Sequence, residues 1–296
     1  GNDAAGIEIT GSSALANSVI ANMIGTDASG TAALGNGSSG VWVTGGAGAS
    51  SIGSTSPGDG NVISGNALDG VRIDGIGTSN TSVVGNIIGL DVTGTVALGN
   101  GGDGVSIGDG STNEHIGGTT AAARNFISGN AGDGVSVNGP AATGSSISGN
   151  YIGLDINGTG AIGNGGLGIH MQGSLNSIGG IAAGSGNVIS GNALGGIEIS
   201  GDTNQVFRNL IGTDATGTVA LGNGGDGILL SGTAESNAIG SSTGPQGNTI
   251  ANNAGGGIIL ATSGEGNEIA GNAIYANGGL GIDLGADGVT ANDSAP

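Results

Sequence analysis

Three aspartates, Asp69, Asp103 and Asp133, each directly precede a Gly-apolar-x-apolar segment, and they are the carboxylates best placed to act together. If those segments stack as equivalent strands, the three side chains recur about every 4.8 Å. Like charges at that spacing repel by about 1 kcal/mol per pair in water. The column therefore splays into solvent as ordinary Asp-Gly turns or is bridged by a cation. Calcium, an oxygen-seeking ion, is the cofactor such a column suits.

A second set, Asp27, Asp91, Asp155 and Asp214, recurs in Ile-Gly-x-Asp loops at spacings of 64, 64 and 59 residues. One carboxylate per loop fits an Asx-turn, in which the side chain accepts backbone N–H groups of its own loop. A calcium role is the alternative there too, as it is for the late acids Asp283, Asp287 and Asp293. Trp42 is the only tryptophan, and strand alternation turns it outward, where it can stack on a sugar ring or on Arg72 one turn later. These two residues form the candidate ligand-binding site. Arg208 beside Phe207 is a candidate base for polysaccharide cleavage. His170 faces Glu198 as a surface pair, and His115 points outward with no evident partner. Acid–base cleavage of a sugar bond needs converging carboxylates. The chain contains no adjacent Asp-Asp, Gly-His-Gly, Arg-x-Lys or Asp-Pro-His-Glu.

The elements that position these residues follow from self-comparison. Ile24-Gly-Thr-Asp-Ala-Ser-Gly-Thr-Ala-Ala-Leu-Gly-Asn36 recurs from Ile88, Ile152 and Ile211, and Asn61-Val-Ile-Ser-Gly-Asn66 recurs from Asn125, Asn187 and Asn248. Gly-apolar-x-apolar begins at Gly6, Gly40, Gly70, Gly104, Gly134, Gly168, Gly196, Gly227, Gly257 and Gly281. A fixed period of this size signals stacked units. Each interval is one turn, and the repeat of about 64 residues is a double turn. Each turn holds three short strands: the Gly-apolar-x-apolar triplet and two Asn-x-Ile/Val segments such as Asn204-Gln-Val206 and Asn209-Leu-Ile211. Stacking about nine turns makes an aliphatic interior about 45 Å long. Asn22, Asn66, Asn86, Asn130, Asn150, Asn192, Asn209, Asn253 and Asn272 read as one corner row, with amides bonding their equivalents above and below. No stretch keeps a helical period. The Thr residues of the loops (Thr26, Thr95, Thr159, Thr213) share no strand position over successive turns, which argues against ice binding.

Composition bounds the partners. The 296 residues include 22 acidic and 3 basic ones (Arg72, Arg124, Arg208), with a net charge of -19. Nucleic-acid binding is excluded because phosphates are held by clustered Lys and Arg. No apolar run reaches the roughly 18 residues a membrane helix needs, so membrane insertion is not expected. There is no cysteine, hence no disulfide or thiol chemistry.

Asn-x-Ile-x-Gly-Asn, Gly-Ile-x-Ile and the Ile-Gly-Thr-Asp loop resemble the right-handed parallel β-helix repeats of large secreted or surface-attached bacterial proteins. The end, Gly279-Leu-Gly-Ile-Asp-Leu-Gly-Ala-Asp-Gly-Val-Thr-Ala-Asn-Asp293, is similar to the stretch that closes such domains. The resemblance implies a single all-β domain over 1–296, with four to five tandem double-turn repeats and a closing segment at 282–296. It also implies an extracellular or cell-surface location. It does not fix an activity, since the architecture carries lyases, hydrolases, epimerases, adhesins and phage spikes. The near-uniform repeats favour a non-catalytic stalk or adhesive segment with glycans as partners. A polysaccharide-active enzyme is one alternative. A self-assembling filament subunit is the other, because Gly1–Ile7 already lies in phase with the repeat and no cap helix precedes it.

Overall fold

The structure is a computed structural model and describes residues 1–288. Asp293 and the rest of the closing stretch from 289 onward lie outside the described residues. The described chain folds as a right-handed parallel β-helix of nine turns plus the first strand of a tenth. Its 28 strands form one ten-stranded and two nine-stranded sheets. Every third strand in sequence is the neighbour in space, and all of these pairings are parallel. The first sheet runs from Ile7–Thr10 to Ile282–Leu284, the second from Ser18–Val19 to Glu268–Ala270, and the third from Met23–Ile24 to Ala273–Tyr275.

Most strands have only two or three residues, too few to persist alone. Register supplies the missing stability. Val41, Val71, Val105 and Val135 are aligned partners in successive turns, as are Val43, Ile73, Ile107 and Val137. Ile52, Val83, Ile116 and Ile147 line the second sheet, and Ile63, Ile88, Ile127 and Ile152 the third. All of these side chains are fully buried in one continuous core. Burial of each such side chain contributes about 1.5–3 kcal/mol.

The corners differ from the single Asn row read from the sequence. Two separate ladders run the length of the solenoid. One contains Asn36, Asn66, Asn100, Asn130, Asn164, Asn192, Asn223 and Asn253. The other contains Asn61, Asn86, Asn125, Asn150, Asn187, Asn209 and Asn248. The expected row took alternate members from each. In both ladders the backbone N–H and the side-chain amide of one Asn donate to Oδ1 of the next turn's Asn. Asn130 does so to Asn164 at 3.1 and 2.9 Å. A third corner is mixed: Ser145, Asn176, Asn204, Asn237 and Asn267 are linked in the same way, from backbone N–H to the next side chain.

A second apolar layer lies outside the third sheet. Its outward row includes Val62, Ile87, Phe126, Tyr151, Val188 and Leu210, aligned turn over turn. Hairpin loops on alternate turns fold over it and bond to one another, with N–H groups of Val92, Ile156 and Ala215 donating to carbonyls of Gly30, Gly94 and Gly158 at 2.9 Å each. Gly30 and Gly94 carry positive φ and lie against Val92 and Ile156, so a Cβ there has no room.

The ladders predict a specific sensitivity. Asn130 is buried and accepts both amide donors of Asn100. Asn130→Ala is expected to lower unfolding free energy by about 2–4 kcal/mol, because buried donors lose their partner. Asn157→Ala, in an exposed loop position, is expected to change it by less than about 0.5 kcal/mol. Equal effects in denaturant titrations would show that the ladder is not the source.

Candidate functional site

The outward face of the first sheet carries the residues that break the repeat. Trp42 and Arg72 are cross-strand partners, and the guanidinium carbon lies 5.2 Å from the indole centroid. The expected stack is therefore formed. Its organiser is Asp74, a residue the sequence reading passed over. Asp74 lies two positions beyond Arg72 and so points to the same side of the sheet. Its Oδ1 accepts the indole Nε1–H at 2.8 Å, and its Oδ2 accepts Arg72 Nε–H at 2.6 Å. Burial pushes the Asp74 carboxyl up, but bonds from Trp42, Thr44 and Arg72 outweigh it and hold the group below the usual carboxylate range. The carboxylate thus fixes both the indole and the guanidinium. Arg72 keeps 42% of its side chain exposed beside the half-buried ring.

Asp69, Asp103 and Asp133 stack in successive turns along the edge of the same face. Oδ1 of Asp69 accepts the N–H of Asp103, Oδ1 of Asp103 that of Asp133, and Oδ1 of Asp133 that of Leu167, at 2.7–2.9 Å. The column is a side-chain-to-backbone ladder between turns. Among the described residues no three His, Asp or Glu side chains converge to hold a metal ion. Burial pushes the Asp103 carboxyl up to about 6, with the charges of Asp133 and Asp69 adding to the effect; burial also raises Asp69. His170 does not pair with Glu198, its neighbour in register. The ring leans back to Asp133, Nδ1 to Oδ2 3.4 Å, and Glu198 instead accepts the Ser231 hydroxyl. The Asp133 bond raises the His170 pKa despite burial, and nearby carboxylates add to it.

The loop aspartates form the expected Asx-turns. Asp27 Oδ1 accepts N–H groups of Thr31 and Ala32, and Asp91, Asp155 and Asp214 repeat the pattern. These bonds depress all four carboxyls, by hydroxyl and backbone donation at Asp27 and against a burial contribution at Asp91 and Asp155. His115 has a partner after all, the Ser146 hydroxyl at 3.0 Å. Asp283 Oδ2 accepts the Gly288 N–H at 3.1 Å. Arg208 lines a cavity on the third-sheet side together with Arg124 and Tyr151.

Glu114 is the other residue that sequence reasoning missed. It occupies the third corner, between Thr81 and Ser145, and is fully buried. Its Oε2 accepts the Thr81 N–H, while Oε1 has no hydrogen-bond partner. Burial pushes its carboxyl up to about 7. The signal was a Glu standing where equivalent turns have Ser, Thr or Asn.

Comparison with known proteins adds no assignment. No family model matches the chain, and no curated protein matches it. Among solved structures it is similar to the Dettilon tailspike protein, with 16% identity and a TM-score of 0.41 over 93% of this chain and 52% of that one. The chain thus spans about half the length of that protein. Weaker likenesses are to HetL, a pentapeptide repeat protein from Nostoc, with 11% identity and TM-score 0.18 over 86% and 90% of the two chains. A hyper-glycosylated TibA fragment gives 11% and 0.17 over 94% and 100%. The fold assignment rests on the topology of the three sheets.

The raised carboxyls make stability depend on pH in a definite direction. A carboxyl whose folded pKa lies above its unfolded value binds more protons when folded, so its contribution is lost as pH rises between the two. For Glu114 that window runs from 4.5 to about 7. His170 acts in the same sense just above 6.5. The loop aspartates act oppositely, losing their contribution as pH falls below 3.8. Unfolding free energy is expected to fall from pH 5 to 8, with roughly 2–3 kcal/mol of that loss due to Glu114. Glu114→Gln is expected to flatten this part of the profile, as measured by chemical denaturation at each pH. An unchanged slope would mean that Glu114 does not carry it.

Proposed function

We propose that this chain is a non-catalytic β-helical segment of an extracellular or cell-surface protein that holds a glycan against the outer face of its first sheet. The observation carrying this reading is the Trp42–Asp74–Arg72 constellation. A sugar ring presents C–H groups on its faces and hydroxyls at its rim. An indole clamped through Nε1 offers a rigid apolar face, and an aromatic ring with a polar handle is the usual anchor at such surfaces. Arg72, held by Asp74 at its Nε and Nη2, supplies donors beside that face. The rest of the solenoid supports a scaffold role. Its buried Asn side chains are engaged in the corner ladders, and the Asp69–Asp103–Asp133 column bonds turn to turn.

Because Trp42 is the only tryptophan, its emission reports directly on the site. Titration with a panel of oligosaccharides is expected to quench or shift that emission saturably for at least one member. Trp42→Ala is expected to weaken the same interaction about tenfold or more by calorimetry, and Asp74→Asn several-fold, by freeing the ring. Melting curves of both variants control for folding. Binding that survives Trp42→Ala would remove the site, and release of reducing or unsaturated ends during incubation would remove the non-catalytic reading.

A further inference from the structure

The cavity that Arg208 shares with Arg124 lies away from the Trp42 face, on the outer side of the third sheet. Both arginines immediately precede an Asn of the second ladder, Asn125 and Asn209. In the other turns this position is Gly60, Gly85, Gly149, Gly186, Gly247 and Gly271, with Ala21 in the first turn. Two of the three cations in the chain therefore interrupt one glycine row. They are three turns apart, about 14 Å between Cα atoms, with Gly149 and Gly186 leaving the space between them open.

Arg208 also adopts φ 62°, the left-handed conformation, as do Ala21, Gly85, Gly149 and Gly271 at the same position. A long side chain is strained there and glycine is not. Its Nε is buried without a hydrogen-bond partner. Arg124 leans toward it: the guanidinium lies 4.0 Å over the Tyr151 ring, and Nε donates to the Gly149 carbonyl at 3.1 Å. Among the described residues neither arginine forms an ion pair. The cavity is about 310 Å³, and no carboxylate lines it, although the chain has 22. Its floor includes Val188 and Leu210, an apolar strip between two cationic ends.

We propose that this cavity binds an acid group, carboxylate or sulfate, carried on a saccharide. Free guanidinium edges match planar and tetrahedral oxyanions, and the apolar floor suits the C–H face of a sugar ring. A polyphosphate chain fits poorly, because two arginines cannot replace its counterions and the protein's net charge of -19 repels it. The site shares no residue with the Trp42 constellation and stands or falls separately.

Calorimetric titration of the full chain with a hexuronate oligosaccharide, a sulfated oligosaccharide, a neutral counterpart and a single-stranded oligonucleotide tests the assignment. At least one acidic saccharide is expected to bind about tenfold or more tighter than the neutral one and to weaken with salt. Whichever acid binds identifies the group. Arg208→Gly restores the residue of the neighbouring turns and is expected to keep or raise the melting temperature while abolishing this binding. Arg124→Gln is expected to weaken it about tenfold, and Trp42→Ala to leave it unchanged. The proposal is overturned if no acidic saccharide binds, if both arginine variants bind as the wild type does, or if the oligonucleotide binds more tightly. A lowered melting temperature for Arg208→Gly would identify a structural side chain and overturn it equally.

Discussion

The constraint on which this architecture depends is the backbone N–H at each corner. A solenoid must bend between strands, and at the bend the backbone leaves the ladder that satisfied it. Here the next turn's side-chain oxygen accepts that N–H, as Asn164 does for Asn130 and Asn150 does for Asn125. The side-chain amide donates to the same oxygen, so each Asn is bonded both up and down. Once the corners are fixed at one spacing, aliphatic side chains fall into register and the core closes. Strands of two residues become sufficient, because the unit of stability is the stack and not the strand.

The same constraint distributes chemistry over the molecule. Inward positions and the two Asn corners are committed to stacking, so most variation falls on the outward rows, the loops and the mixed third corner. Where variation enters a committed position it is costly. Glu114 places a carboxyl in a corner that Ser145 and Asn176 fill without charge, and it leaves one buried oxygen unbonded. By contrast, Asp69, Asp103 and Asp133 serve a corner-like role from the edge of a sheet, and burial raises Asp69 and Asp103 without removing them from solvent altogether.

Much of the fold was legible because stacking is periodic. The Gly-apolar-x-apolar starts match the first strand of every turn, and the inward Val and Ile residues are the buried ones. The corner rows were misread because two ladders have overlapping residue types; intervals alternating near 44 and 20 mixed Asn22 with Asn66 although they lie at different corners. The Trp42–Arg72 stack was readable from register, whereas Asp74 reaches diagonally across a turn boundary and no periodicity marks it. His170 shows the same limit. Register gives its neighbour, Glu198, but the ring's torsion selects Asp133. The apolar exterior of the third sheet was hidden because the loops that cover it, through Val92, Ile156 and Ala215, come from alternate turns.

In a repeat of this kind, departures from the pattern carry more functional information than the pattern, and their energetic sign ranks them. Trp42 departs at an outward position where Ser106 and Ser136 stand in later turns, so it strains nothing, and its role rests on the Asp74 bond that fixes the ring. Arg208 departs at a left-handed backbone position that glycine occupies in equivalent turns, which makes it unfavourable for folding. Arg124 departs in the same row but with φ −62°, an ordinary conformation, and its Nε is bonded. The two arginines therefore differ in local strain while converging on one cavity. A shared destination reached from one strained and one relaxed backbone fits the proposed acid-group site better than it fits the needs of the solenoid.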